Sequence, residues 1–196
     1  PVQRRQMTTP SEANVHALAL TGNFDDCQTI VKGMFNNFAF RDRVALSGVN
    51  SINWARILAQ IVYYFVSGVA LGAPHRPVSF TVPTGNFGDI FAGYAAMKMG
   101  LPVEKLVVAT NVNDILARTL ETGSYEMRGV TATTSPSMDI QISSNFERLL
   151  SEVYGHDGEA VRGLMNRLGQ SGSFTIADGP LAMIRERFAA GRCDEA

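Results

Sequence analysis

Thr81-Val82-Pro83-Thr84-Gly85-Asn86-Phe87-Gly88-Asp89-Ile90 is the stretch on which the fold turns. Before it, Pro77-Val78-Ser79-Phe80-Thr81-Val82 is β-branched and aromatic and reads as a buried strand. After it, Ile90 to Met99 reads as a helix with Ile90, Phe91, Tyr94 and Met97 along one side. A strand, a glycine loop and a helix start make an anion site. The first N–H groups of a helix have no partner within it, and its dipole places partial positive charge there. Gly85 and Gly88 let the main chain approach an anion closely and adopt angles that a Cβ forbids. The loop contains no cation, so a phosphate would be held by main-chain N–H groups with the Thr84 and Asn86 side chains in reach. The alternative is a tight strand-to-helix turn with no ligand. No Gly-Lys-Ser/Thr follows, which excludes a P-loop, and Gly-x-Gly-x-x-Gly is absent.

Downstream, Gly100-Leu101-Pro102 ends the helix and Lys105 to Thr110 forms the next strand. Two strands joined by one helix predict a parallel, right-handed βαβ unit. Ligands in open parallel sheets sit beyond the carboxyl ends of the strands. Thr84–Gly88 and Asn111–Asp114 both occupy such ends, so both face one pocket. Upstream, Asn50 or Ser51 is the expected cap of a long helix running to about Gly72. Ile57 through Ala73 carries no charge, but it is shorter than the roughly 20 apolar residues of a membrane span. A helix buried beneath a sheet is expected instead.

Toward the amino terminus, residues 1–14 read as a polar helix or connector. Val15 to Leu20 reads as a strand, Thr21-Gly22-Asn23 as a turn and Phe24 to Asn36 as a helix, together one βα unit. His16 is expected at a strand edge and His75 in an exposed loop. Toward the carboxyl terminus, Gly123 to Ser137 is polar and irregular. Helical periodicity follows around Phe146–Val153, Val161–Leu168 and Pro180–Ala190, with no closing element after it.

The 196 residues are 45% hydrophobic and 18% charged, values of a globular chain. A net charge of −1 offers no field for nucleic acid or an anionic membrane. Two cysteines, Cys27 and Cys193, have no metal-ligand spacing and suit a reducing cytoplasm. The opening Pro1-Val2-Gln3-Arg4-Arg5 resembles the middle of a longer protein.

Val82-Pro83-Thr84-Gly85-Asn86-Phe87-Gly88-Asp89-Ile90 resembles the cofactor-phosphate loop of the threonine synthases, in their longer bacterial and fungal branch. Three more stretches, in matching order and spacing, resemble the same family: Asn50 to Gln60, Ala109 to Asp114, and Ser135 to Ile140. The resemblance covers essentially the whole chain. It implies an α/β, open parallel sheet with flanking helices, the tryptophan-synthase-β-like (type II) fold of pyridoxal 5'-phosphate enzymes. Residues 1–45 would be the remainder of a smaller α/β domain and 46–125 the core of a larger, phosphate-binding one. Residues 126–196 would be a loop and mainly helical extension.

The resemblance also implies conversion of O-phosphohomoserine and water to threonine and phosphate. Thr84, Gly85, Asn86, Phe87 and Gly88 would bind the cofactor, and Asn50, Asn53, Asn111 and Asn113 the substrate. The lysine that holds the cofactor aldehyde has no matching position here. Lys32 lies in another helix, Lys98 roughly 15 Å along its helix from the loop at 1.5 Å per residue, and Lys105 at the wrong end of a strand. The separate stretch is therefore expected to be inactive. Two alternatives stay open: a phospholyase acting on the same substrate class, and a non-catalytic module binding a phosphate-bearing ligand.

Overall fold

A computed structural model describes residues 2–21, 24–48 and 53–194. The chain divides into two compact units, 1–47 and 48–196. The first contains helices α1 (Val2–Thr8), α2 (Phe24–Asn36) and α3 (Phe38–Arg43), the last capped by the Asn37 side chain on Phe40 N–H. The expected strand at Val15–Leu20 does not form. Those residues lie outside any regular element, and Leu18 is 87% exposed, with no strand to pair with among the described residues. His16 lies in the same exposed stretch.

The second unit is built on a parallel three-stranded sheet in the order β1-β2-β5. Its strands are β1 (Val78–Pro83), β2 (Val103–Thr110) and β5 (Phe188–Arg192). Between β1 and β2 runs α5 (Gly88–Lys98), as the alternation of strand and helix signals predicts. The strand β5 was not anticipated: the last helix, α9 (Asp178–Arg187), stops three residues before Ala190 and the chain turns extended at Phe188. Lys105 Nζ donates to the Arg185 and Glu186 carbonyls at 3.0 and 2.8 Å, so a β2 cation closes the negative end of α9. The remaining elements are α6 (Ile115–Thr122), α7 (Phe146–Val153), α8 (Gly158–Ser171) and a small antiparallel pair. That pair, β3 (Ser124–Glu126) with β4 (Ser173–Thr175), also went unread in the sequence, being only three residues on each side.

One hydrophobic core runs through this unit. Ile90, Ala92 and Ala96 of α5, Leu106 and Val108 of β2, Leu149 and Leu150 of α7, and Phe188 are all buried in it. The helix α4 (Trp54–Ala70), which carries the charge-free run from Ile57, departs from expectation. It buries Ile57, Ile61, Tyr64 and Gly68, packing on α5, where Gly93 leaves room for the Tyr64 ring, and setting Gly68 against Leu101. Its other face, with Leu58, Val62, Val66 and Val69, is exposed among the described residues instead of lying beneath the sheet. No helix among the described residues is long and apolar enough to cross a membrane.

Candidate functional site

Because β1 and β2 are parallel, with Pro83 beside Ala109, the loops that follow them emerge at one edge of the sheet. The first, 84–87, leads into the amino end of α5. Thr84 is buried and tied to the sheet: its N–H donates to Ala109 O at 2.8 Å and its hydroxyl to Val82 O at 2.6 Å. Asn86 Oδ1 accepts from Gly88 N–H at 3.0 Å. Phe87 then turns the chain, with φ +66°, in the left-handed region. Its ring is 1% exposed and lies 5.2 Å from that of Phe146 and 5.6 Å from that of Phe188. The aromatic anchor holds a main-chain conformation that non-glycine residues rarely adopt.

This corrects the roles read for the glycines. Neither Gly85 nor Gly88 has a positive φ; Phe87 does. Gly85 is required for space: a Cβ there would stand 2.8 Å from Ser137 O. Gly88 N–H and the Thr84 N–H and hydroxyl already have partners inside the protein. The main-chain N–H groups of Gly85, Asn86 and Phe87 have none among the described residues, and neither do those of Asp89 and Ile90 at the start of α5. Buried and half-buried residues whose amides lack acceptors, at a helix amino end, form a cradle for an anion. The donor set fits a phosphate group.

The second loop is held differently. Asn111 Nδ2 donates to Asp139 Oδ1 at 3.1 Å and to Thr133 Oγ1 at 3.1 Å, while its Oδ1 accepts from Asn113 N–H at 2.9 Å. Asn113 Nδ2 donates to Asp139 Oδ1 and to Thr131 O, and its Oδ1 accepts from Thr131 N–H at 2.8 Å. Thr133 completes the hub, its hydroxyl and N–H reaching Asp139 at 2.6 and 2.7 Å. The Thr133 hydroxyl, together with its N–H and the two asparagines, holds the Asp139 carboxyl below the usual carboxylate range, against the opposite pull of burial. The two asparagines thus fasten the 131–139 segment, whose Ser137 abuts Gly85.

Asn53 caps α4, its Oδ1 accepting from Ala55 N–H at 2.8 Å and its Nδ2 donating to Gly48 O. The cap is therefore Asn53, not Asn50 or Ser51, which lie outside the described residues, as does any substrate role for Asn50. Trp54, next in line, packs edge-on to Phe91 at 6.4 Å and lies beneath the Arg148 guanidinium at 5.6 Å. This brings the amino end of α4 beside the start of α5.

Sequence reasoning missed three residues: Ser143, Asn145 and Asp139 as a hub. Ser143 Oγ donates to Gly85 O. Asn145, fully buried, donates to Asn86 O from its N–H at 3.0 Å and its Nδ2 at 3.2 Å. They are polar residues ahead of a helix and resemble ordinary caps in sequence. Of the lysines, Lys98 pairs with Glu152 at 3.6 Å at the far end of α5, Lys105 closes α9, and Lys32 lies in the first unit.

No protein-family model matches the chain. Threonine synthase of Pseudomonas aeruginosa is 56% identical over 177 residues, covering 90% of this chain and 38% of the relative. The crystal structure of PLP-bound threonine synthase from Brucella melitensis superposes with a TM-score of 0.91 and 68% identity, covering 98% of this chain and 42% of that one. The yeast enzyme's structure gives 0.86 and 47%, over 99% of this chain and 40% of the other. The chain thus spans about two fifths of the length of these relatives. With an open parallel sheet flanked by helices, of the type II fold, and this similarity along nearly its whole length, the chain belongs to the threonine synthase family.

Proposed function

We propose that the protein containing this chain is a threonine synthase, converting O-phosphohomoserine and water into threonine and phosphate with pyridoxal 5'-phosphate. This stretch supplies the cofactor's phosphate site. The observation that carries the reading is the set of acceptor-less N–H groups at Gly85, Asn86 and Phe87, at the amino end of α5. When bound, pyridoxal phosphate supplies the electron sink for chemistry at the amino-bearing carbon. The residues present would hold its phosphate without a cation, through main-chain donors and the α5 dipole. Thr84 and Gly88 shape the cradle, and the Asn86 side chain borders it.

Asn111 and Asn113 serve the substrate side by fixing the 131–139 wall, and Asn53 by seating the start of α4. Residues up to about 45 belong to a smaller domain; 46–125 form the phosphate-binding core and 126–196 its extension. The lysine that holds the cofactor aldehyde lies outside this chain, and the setting is the cytoplasm. Similarity to threonine synthases over 90% of the chain supports the synthase activity.

The test is to supply the purified full-length protein with pyridoxal phosphate and O-phosphohomoserine. Equal amounts of threonine and phosphate are expected. Phosphate release without threonine would make it a phospholyase. Cofactor binding without either product would leave a binding module.

A further inference from the structure

We infer that Ser143 and Asn145 are positioning residues that aim the phosphate cradle from behind. The inference rests on the cofactor reading above and adds to it the device that sets amide direction. In a trans peptide the C=O and N–H of one plane point in opposite directions. Among the described residues only Ala73–Pro74 is cis, so the Gly85–Asn86 and Asn86–Phe87 peptides are both trans. Ser143 Oγ–H holds the Gly85 carbonyl, whose peptide partner is the Asn86 N–H. Asn145 holds the Asn86 carbonyl with two donors, at 3.0 and 3.2 Å, and its peptide partner is the Phe87 N–H. Both carbonyls are thus turned toward the 143–145 segment, and both N–H groups away from it. The same two N–H groups are the ones without acceptors among the described residues.

The support behind this pair is rigid. Tyr125 OH accepts from Ser143 N–H at 2.8 Å, and the Tyr125 ring stacks on Phe146 and Phe174 at 5.5 and 4.9 Å. Arg148 Nε donates to Asn145 Oδ1 at 3.0 Å, which fixes the amide so that its Nδ2 faces Asn86 O. Hydrogen bonds accepted by a carbonyl also polarise its peptide and strengthen the N–H on the other side. Ser143 and Asn145 therefore act on a bound phosphate without touching it, by orienting and sharpening two of its donors.

The experiment uses the full-length protein and two ligands, pyridoxal 5'-phosphate and pyridoxal, which lacks the phosphate. Ser143→Ala removes one carbonyl anchor and the hydroxyl's hydrogen bond with Tyr125, and leaves the Ser143 N–H bond to Tyr125 in place. Its Kd for pyridoxal phosphate is expected to rise about five- to tenfold, the effect of one hydrogen bond, with Kd for pyridoxal within about twofold of wild type. Ser143→Thr, which keeps the hydroxyl, restores the preference. Asn145→Ser keeps the main-chain donor, removes the amide donor and provides a second value of the same ratio. If Ser143→Ala and Asn145→Ser weaken both ligands equally, or neither, the positioning role is overturned while the cofactor reading stands. If wild-type protein itself does not prefer the phosphorylated form, both fall together.

Discussion

The main-chain oxygen of Ser137 lies 2.8 Å from the point a Cβ on Gly85 would occupy. A main-chain atom cannot swing aside as a side chain does, and the 131–139 segment around it is fastened by Asp139. Gly85→Ala must push the loop or the wall away. It is expected to cost about 1–3 kcal/mol, as overpacking does, and to weaken pyridoxal phosphate about tenfold or more. Thermal unfolding and cofactor titration measure the two effects. Wild-type affinity in this variant would show that the close approach has no bearing on the cradle.

Phe87 combines a positive φ with a buried ring. Phe87→Ala loses the ring between Phe146 and Phe188 and is expected to cost about 3–5 kcal/mol. Phe87→Gly loses the same ring but relieves the left-handed strain, so it should be the more stable of the two by about 1 kcal/mol. Denaturant unfolding of both variants gives the difference. The reverse order would mean that the conformation at 87 is not strained.

The carboxylates of this unit predict an acid limb of stability. Thr133, Asn111 and Asn113 hold Asp139 low against the effect of burial. Burial alone would raise Asp114, but hydrogen bonds from Arg118 and Arg192 outweigh it and keep it low. A depressed folded pKa means stability that is fully present above the unfolded value, about 3.9, and lost as pH falls through the folded value. Asp89, raised by burial despite the Tyr64 hydroxyl, runs the other way: its contribution is present below about 3.9 and fades as pH rises through its folded value. Asp139→Asn should therefore lower Tm at neutral pH, with the deficit shrinking below about pH 4. The variant also sets an amide donor among the Thr133 donors, so limited proteolysis around 129–142 should quicken. A deficit in Tm that is unchanged down to pH 3 or so would remove Asp139 from the acid limb.

How much was legible in the sequence differs from element to element. The β1 run, the glycine loop, α5 and β2 were readable because strand and helix periods change at Gly85 and Gly100, and each segment is long enough to show its pattern. The strand β5 was hidden because Phe188-Ala189-Ala190 continues a helical run; extended structure there comes from pairing with Leu106–Thr110, a long-range effect. Val15–Leu20 misled in the opposite direction, since its apolar residues have a strand's composition but no partner strand among the described residues. The site followed the same rule. The loop between β1 and α5 was visible in Thr84–Gly88, but which residue takes the positive φ was not, because burial of the Phe87 ring depends on Phe146 and Phe188, far along the chain. Asn111 and Asn113 were visible as a pair at a strand end, whereas their engagement with Asp139 required the fold.

The most direct measurement is a crystal structure of the full-length protein with pyridoxal 5'-phosphate. Cofactor phosphate oxygens are expected at about 3 Å, hydrogen-bond distance, from the main-chain nitrogens of Gly85, Asn86 and Phe87, with the Gly85 and Asn86 carbonyls still turned toward Ser143 and Asn145. A phosphate bound elsewhere, or one held at this corner by side-chain cations while those three nitrogens face other acceptors, would contradict it.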